Sequence, residues 1–146
     1  LDKVMVNREI KYKIELGTES TESIINRYME NFISIPKEII SFSVFNGIPS
    51  FCNIIFDARV ISNPPSNLFG LDGMSDAVQK FVYSDPEYNR FFEYILTTIR
   101  NLKPTSVGIG CVGGHHRSVA TAEMLGHLLK IIPFHRELFS GTFNNR

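Results

Sequence analysis

Apolar positions along the chain change period several times, and each change marks an element. Residues 11–16, Lys-Tyr-Lys-Ile-Glu-Leu, alternate polar with apolar, which predicts a half-buried strand ended by Gly17. Residues 18–21 supply helix-cap candidates with Glu22 beside them. Ile24, Ile25, Tyr28, Met29, Phe32 and Ile33 then recur at helical spacing until Pro36 stops the helix. Residues 39–45 read as a second strand, closed by Asn46-Gly47 and Pro49. Residues 53–61, dense in β-branched and apolar side chains, read as a third, followed by an irregular loop over 63–67. A short helix is predicted over 75–83, and a longer one starts at Asp85-Pro86 with proline in its first turn. Phe91, Phe92, Tyr94, Ile95, Leu96 and Ile99 form that helix's buried face, and Pro104 ends it.

Residues 105–109 then form an apolar run that reads as a buried strand, and residues 119–130 read as a helix. Residues 131–135 are predicted as a last strand, placed at a sheet edge by Pro133, and 141–146 as a loose tail. Strands alternating with helices predict an α/β domain: a mostly parallel sheet of about five strands with helices on both faces. Ligands of such sheets sit beyond the carboxyl ends of the strands.

Composition narrows the classes. The 146 residues suit one domain, residues 1–146, with a core over about 14–137 and looser flanks. Fifteen basic and fifteen acidic residues cancel, which argues against a strongly basic nucleic-acid module. Two cysteines make no disulfide framework and point to a reducing, cytoplasmic setting. No apolar run approaches the roughly 18 residues that span a membrane, and no secretory signal is visible. The chain begins at Leu1, which suits a fragment or a processed product with an upstream domain missing.

The candidate chemistry lies between the buried strand and the helix, at Gly110-Cys111-Val112-Gly113-Gly114-His115-His116-Arg117-Ser118-Val119. A glycine-rich loop leading into a helix N-terminus gathers backbone N–H groups and positive potential, so an anion is expected at residues 111–118. The spacing also matches the loop of cysteine-dependent phosphatases: Cys, two residues, Gly, two residues, Arg, then Ser or Thr. There a thiolate lies under a phosphate, the arginine fork holds the oxygens, and the following hydroxyl bonds the sulfur. No general acid is evident and no His precedes Cys111, so binding is favoured over catalysis. Asp57 and Arg59, two apart on the third predicted strand, are either a structural ion pair or a contribution to the same crevice. His115, His116 and His135 with Cys111 match no familiar pair of metal-ligand clips, so neither a metal nor a cofactor is expected. Arg136 is placed to reach the crevice from the last strand.

Over residues 14–137 the chain resembles the C-terminal domain of the RapZ family, the RNase adapter proteins once described as nucleotide-binding P-loop proteins. Ser41-Phe42 followed by Gly47-Ile48-Pro49 is similar to the family's Ser-Phe-Gly-Phe-Lys-(aromatic or His)-Gly-(aliphatic)-Pro. Phe56-Asp57-Ala58-Arg59 with Asn63-Pro64 is similar to its Phe-Asp-Val-Arg-Phe-Leu-Pro-Asn-Pro. The Cys111 loop is similar to Gly-Cys-Thr-Gly-Gly-x-His-Arg-Ser-Val, and His135-Arg136 to the closing His-Arg. The resemblance implies a domain that senses an amino-sugar phosphate or a nucleotide sugar and, in characterised relatives, binds small RNA and hands it to a ribonuclease. No Gly-x-x-x-x-Gly-Lys-[Ser/Thr] occurs here, so nucleotide hydrolysis does not carry over. Phe45 and Asn46 replace the family's Lys and its aromatic or His, Phe69 an Arg, Ser75 an Asp, and Val112 a Thr, while His115 fills the loop's variable position. A different ligand is therefore expected.

Together these readings predict a regulatory domain that binds a sugar phosphate or a nucleotide. Gly113, Gly114, His115, His116, Arg117 and Ser118 would hold the phosphate, and Asn46, Asp57, Arg59 and His135 would shape the rest of the pocket. One rival is a cysteine-dependent phosphohydrolase with Cys111 as nucleophile and Arg117 as transition-state clamp. The other is an RNA-binding adapter that works as a homo-oligomer and binds RNA only weakly as an isolated domain.

Overall fold

The structure, a computed structural model, describes residues 35–138 and the backbone of residues 15–16 and 19–20. Its centre is a four-stranded, wholly parallel sheet in the order β4-β5-β3-β6. Here β3 is Glu38–Ser43, β4 is Ile54–Asp57, β5 is Ser106–Cys111 and β6 is Phe134–His135. A separate antiparallel ribbon joins β1 (Glu15–Leu16) to β2 (Glu19–Ser20). The alternation thus gave the class correctly, an α/β domain around a parallel sheet. The cap expected near residue 19 is strand instead, while residues 11–14 and the helix expected at 24–33 lie outside the described residues.

Three helices follow in order: α1 (Asp76–Tyr83), α2 (Tyr88–Leu102) and α3 (Arg117–Leu129). The Ser75 hydroxyl accepts from the Val78 amide and starts α1 as an N-cap. On α2, Phe91, Phe92, Ile95, Leu96 and Ile99 are buried as the periodicity anticipated, and Tyr88 joins them, whereas Tyr94, expected on the same face, is 60% exposed because it falls one position off the 3.6-residue stripe. The buried side chains form one core with Ile39, Phe56, Val107, Ile109 and Cys111 from the sheet and Ala122, Met124 and Leu125 from α3. Among the described residues no helix is long and apolar enough to cross a membrane.

Two strands end earlier than their apolar runs suggest, for one reason. Ser43 Oγ accepts from the Phe45 amide at 3.2 Å, and the chain leaves the sheet in a 3-10 turn over Val44–Asn46. Asp57 Oδ1 accepts from the Arg59 amide at 3.0 Å and starts a second such turn over Ala58–Val60. In both cases a short polar side chain captures a nearby amide that the ladder would otherwise use. The final strand holds only two residues, because Pro133 has no N–H to give, and β6 lies at the sheet edge as expected.

Candidate functional site

The register brings the predicted site residues to one rim. Ser43 pairs with Cys111, Asp57 with Gly110, and Ser41 with His135, so β3, β4, β5 and β6 finish together at the carboxyl edge of the sheet. There β5 stops at Cys111, five residues make the loop, and α3 begins at Arg117. The loop closes around the sulfur: Cys111 Sγ is hydrogen-bonded to Ser118 Oγ at 3.1 Å, and the Gly114 amide donates to it at 3.3 Å. The sequence spacing had anticipated the hydroxyl contact but not the amide. Cys111 is only 2% exposed.

Arg117 faces two ways. Its Nη1 donates to the Ile61 carbonyl at 2.9 Å, which ties the helix start to the turn after β4. Its Nε is buried and has no hydrogen-bond partner among the described residues, although the side chain is only 7% exposed. Buried N–H groups are nearly always paired, so this donor is open to an acceptor.

Segment 69–73 wraps the same loop. The Phe69 ring stacks on His116 with centroids 5.6 Å apart, and the Gly73 amide donates to the His115 carbonyl at 2.7 Å. Gly73 has no room for a side chain, because a Cβ there would fall 2.6 Å from the His116 carbonyl oxygen. Phe69 therefore puts an aromatic face beside the loop.

Asp57 and Arg59 form a forked ion pair, with Arg59 Nε 2.9 Å from Oδ1 and Nη2 2.7 Å from Oδ2. They are not charges inside a buried strand, since β4 ends at Asp57 and both side chains are about half exposed. The Arg59 guanidinium, with a smaller contribution from Arg117, holds the Asp57 carboxyl below the usual carboxylate range. Asn46 lies on the rim with one N–H of its Nδ2 committed to Glu137 Oε1 at 3.0 Å. His135 does not open onto the crevice. Its Nδ1 meets Ser41 Oγ and its Nε2 meets Glu123 Oε2, each at 2.7 Å, so the ring braces β3 against α3. Arg136 turns inward too: Nη2 donates to the Ser43 carbonyl at 3.2 Å, and the guanidinium stacks over the Phe42 ring. Among the described residues no group of three or more His, Cys, Asp or Glu side chains is placed to hold a metal ion.

Sequence reasoning missed Glu137. It is buried and accepts from the Ser43 amide at 2.8 Å, from Asn46 and from Arg136. Ser43 in turn donates its hydroxyl to the Val112 carbonyl at 2.6 Å, so Glu137 supports the loop through one intermediate. Burial pushes the Glu137 carboxyl up, and the donors from Ser43, Asn46 and Arg136 more than reverse this, leaving it below the ordinary value. Nothing in the sequence separates this glutamate from a solvated one.

A parallel sheet with its strand–loop–helix junction at the carboxyl edge makes this an α/β domain, the class whose ligands sit at that edge. Residues 35–138 match the RapZ C-terminal domain, and the chain belongs to that family. It is similar to a nucleotide-binding protein of Cereibacter sphaeroides, 39% identical over 114 residues, which are 67% of this chain and 38% of the relative. It is also similar to one of Coprothermobacter proteolyticus, 37% identical over 132 residues, 77% of this chain and 46% of the relative. A third, from Gluconobacter oxydans, is 35% identical over 118 residues. The chain thus spans less than half the length of these relatives.

Proposed function

We propose that this domain is a regulatory module that binds a phosphorylated small molecule, a sugar phosphate or a nucleotide, at residues 111–118. The observation that carries the reading is the buried, unpaired Nε of Arg117 at the start of α3, beside a glycine loop. Gly113, Gly114, His115, His116 and Ser118 complete the seat, with Asn46, Asp57 and Arg59 on its rim. His135 shapes it from behind, through Ser41 and Glu123. The relatives are named nucleotide-binding proteins, which supports a phosphorylated ligand.

Arg117→Ala tests the reading. Thermal unfolding of the parent is expected to shift upward with inorganic phosphate and further with selected sugar phosphates or nucleotides. The variant is expected to lose that response. It should also melt a few degrees lower, since the Ile61 carbonyl loses its donor at a cost of about 1–2 kcal/mol. A variant that still responds to phosphate would place the site elsewhere.

RNA is expected to bind the isolated domain weakly and without sequence preference. Lys3, Arg8, Lys11, Lys13 and Arg146, the basic candidates, lie outside the described residues, and Arg136 is committed to Glu137. Each phosphate neutralised on a single strand contributes a salt slope of roughly −0.7. A shallow slope in a titration of salt against RNA affinity is the expected result. Tight, sequence-selective binding by the monomer at physiological salt would make the adapter reading the leading one.

A further inference from the structure

We propose that Cys111 is a phosphoryl-accepting nucleophile, and that the domain hydrolyses activated phosphate esters, aryl or acyl phosphates, in the loop that binds its phosphorylated ligand. The proposal rests on the anion-binding reading above and adds a reaction to it. Two independent observations carry it. The sulfur sits at the centre of the loop with Ser118 Oγ at 3.1 Å and the Gly114 amide at 3.3 Å. These are the two groups a thiolate needs facing it when it attacks and when it leaves. The second observation is Arg117 Nε, buried and unpaired at the first residue of α3 directly after the loop, with Nη1 of the same guanidinium anchored on the Ile61 carbonyl. An N–H fixed in that way is ready for an oxygen of the transferring group and costs no reorganisation.

The reaction balances without a further reagent. The thiol gives its proton to water, and the Ser118 hydroxyl turns to donate to the sulfur. The thiolate attacks phosphorus and forms an S–P bond. The P–O bond to the leaving group breaks, and its electron pair departs with the oxygen as a phenolate or a carboxylate. Water then attacks the phosphocysteine and loses a proton to solvent. The S–P bond breaks, the sulfur keeps the pair, and inorganic phosphate is released. Nothing is oxidised or reduced.

The restriction to activated esters follows from the carboxylates beside the loop. Asp57 is held ionised by Arg59, and Glu137 is held ionised behind the loop by Ser43, Asn46 and Arg136, so neither has a proton to give an alkoxide. An alkyl ester such as a sugar phosphate then receives no proton from either carboxylate. The burial of Cys111 admits to the sulfur only a group seated in the loop.

The test uses p-nitrophenyl phosphate as substrate and inorganic phosphate as the binding probe. The chain is expected to release nitrophenolate, and a rapidly acidified reaction is expected to show one phosphoryl adduct by intact mass. Cys111→Ser should keep its thermal response to phosphate and lose at least about a hundredfold in turnover. Ser118→Ala should fold, slow turnover and let the adduct accumulate, because the departing thiolate loses its donor. A chain that responds to phosphate yet hydrolyses the ester no faster than buffer overturns the proposal and leaves the binding reading standing. So does hydrolysis that survives Cys111→Ser. A parent with no response to phosphate overturns both.

Discussion

Gly114→Ala is expected to abolish phosphate binding and to lower the stability of the domain by about 3 kcal/mol or more. Gly114 has φ +74°, a backbone state that costs an L residue roughly 1 kcal/mol or more. The new methyl group would also fall 2.5 Å from Glu137 Cγ, 2.7 Å from the Ser43 amide and 2.9 Å from the Phe42 carbonyl carbon. Two of these neighbours are backbone of the strand beside β5, so relief must come from the loop itself. Moving the loop breaks the Gly114 contact to the sulfur and displaces the approach to Arg117. Thermal unfolding with and without phosphate reads both effects, and a variant that melts with the parent and keeps its phosphate response would show that the loop is not held as described.

Glu137→Gln is expected to destabilise the domain by about 3 kcal/mol at neutral pH. An amide in place of the carboxylate keeps one acceptor and turns an N–H toward Asn46 or Arg136, both donors. The pH dependence is the sharper test. The folded-state value of Glu137 lies below its ordinary value of about 4.3, so its contribution is complete above that value. It is lost as pH falls through the lower, folded-state value. Asp57 and Asp85 are depressed as well and titrate in the same direction. Denaturant unfolding from pH 7 to pH 3 should therefore show the parent losing stability on the acid side, and Glu137→Gln losing measurably less. Equal acid losses in the two chains would assign the linkage to the other carboxylates.

The sequence disclosed what depends on neighbours in the chain. The buried run of β5, the glycine loop and the α3 helix were legible because apolar residues flank a segment that no regular element tolerates. The Cys111–Ser118 contact was legible because seven positions of loop and helix fix it. The ends of β3 and β4 were not, since periodicity counts apolar side chains and is blind to Ser43 and Asp57 capturing amides. Glu137 was out of reach for a different reason: its principal partner, Ser43, lies 94 residues away in the chain. His135 was expected to shape the pocket, yet no pattern in the chain indicates that Ser41 and Glu123 occupy both of its ring nitrogens.

The wholly parallel order β4-β5-β3-β6 also dictates when the rim is finished. β3 is made early and waits for β5, whose residues pair Glu38 with Ser106 and Ser43 with Cys111. Such distant pairing makes nucleation slow compared with a hairpin of equal length. During synthesis the strand, loop and helix around Cys111 emerge before part of their support, since His135, Arg136 and Glu137 follow α3 in the chain. A nascent chain halted at α3 carries every atom of the loop together with Ser43, Ile61 and Gly73, but lacks Glu137, which holds the Ser43 amide. The rim is then completed late in folding, when Glu137 arrives beside β3 and takes the Ser43 amide.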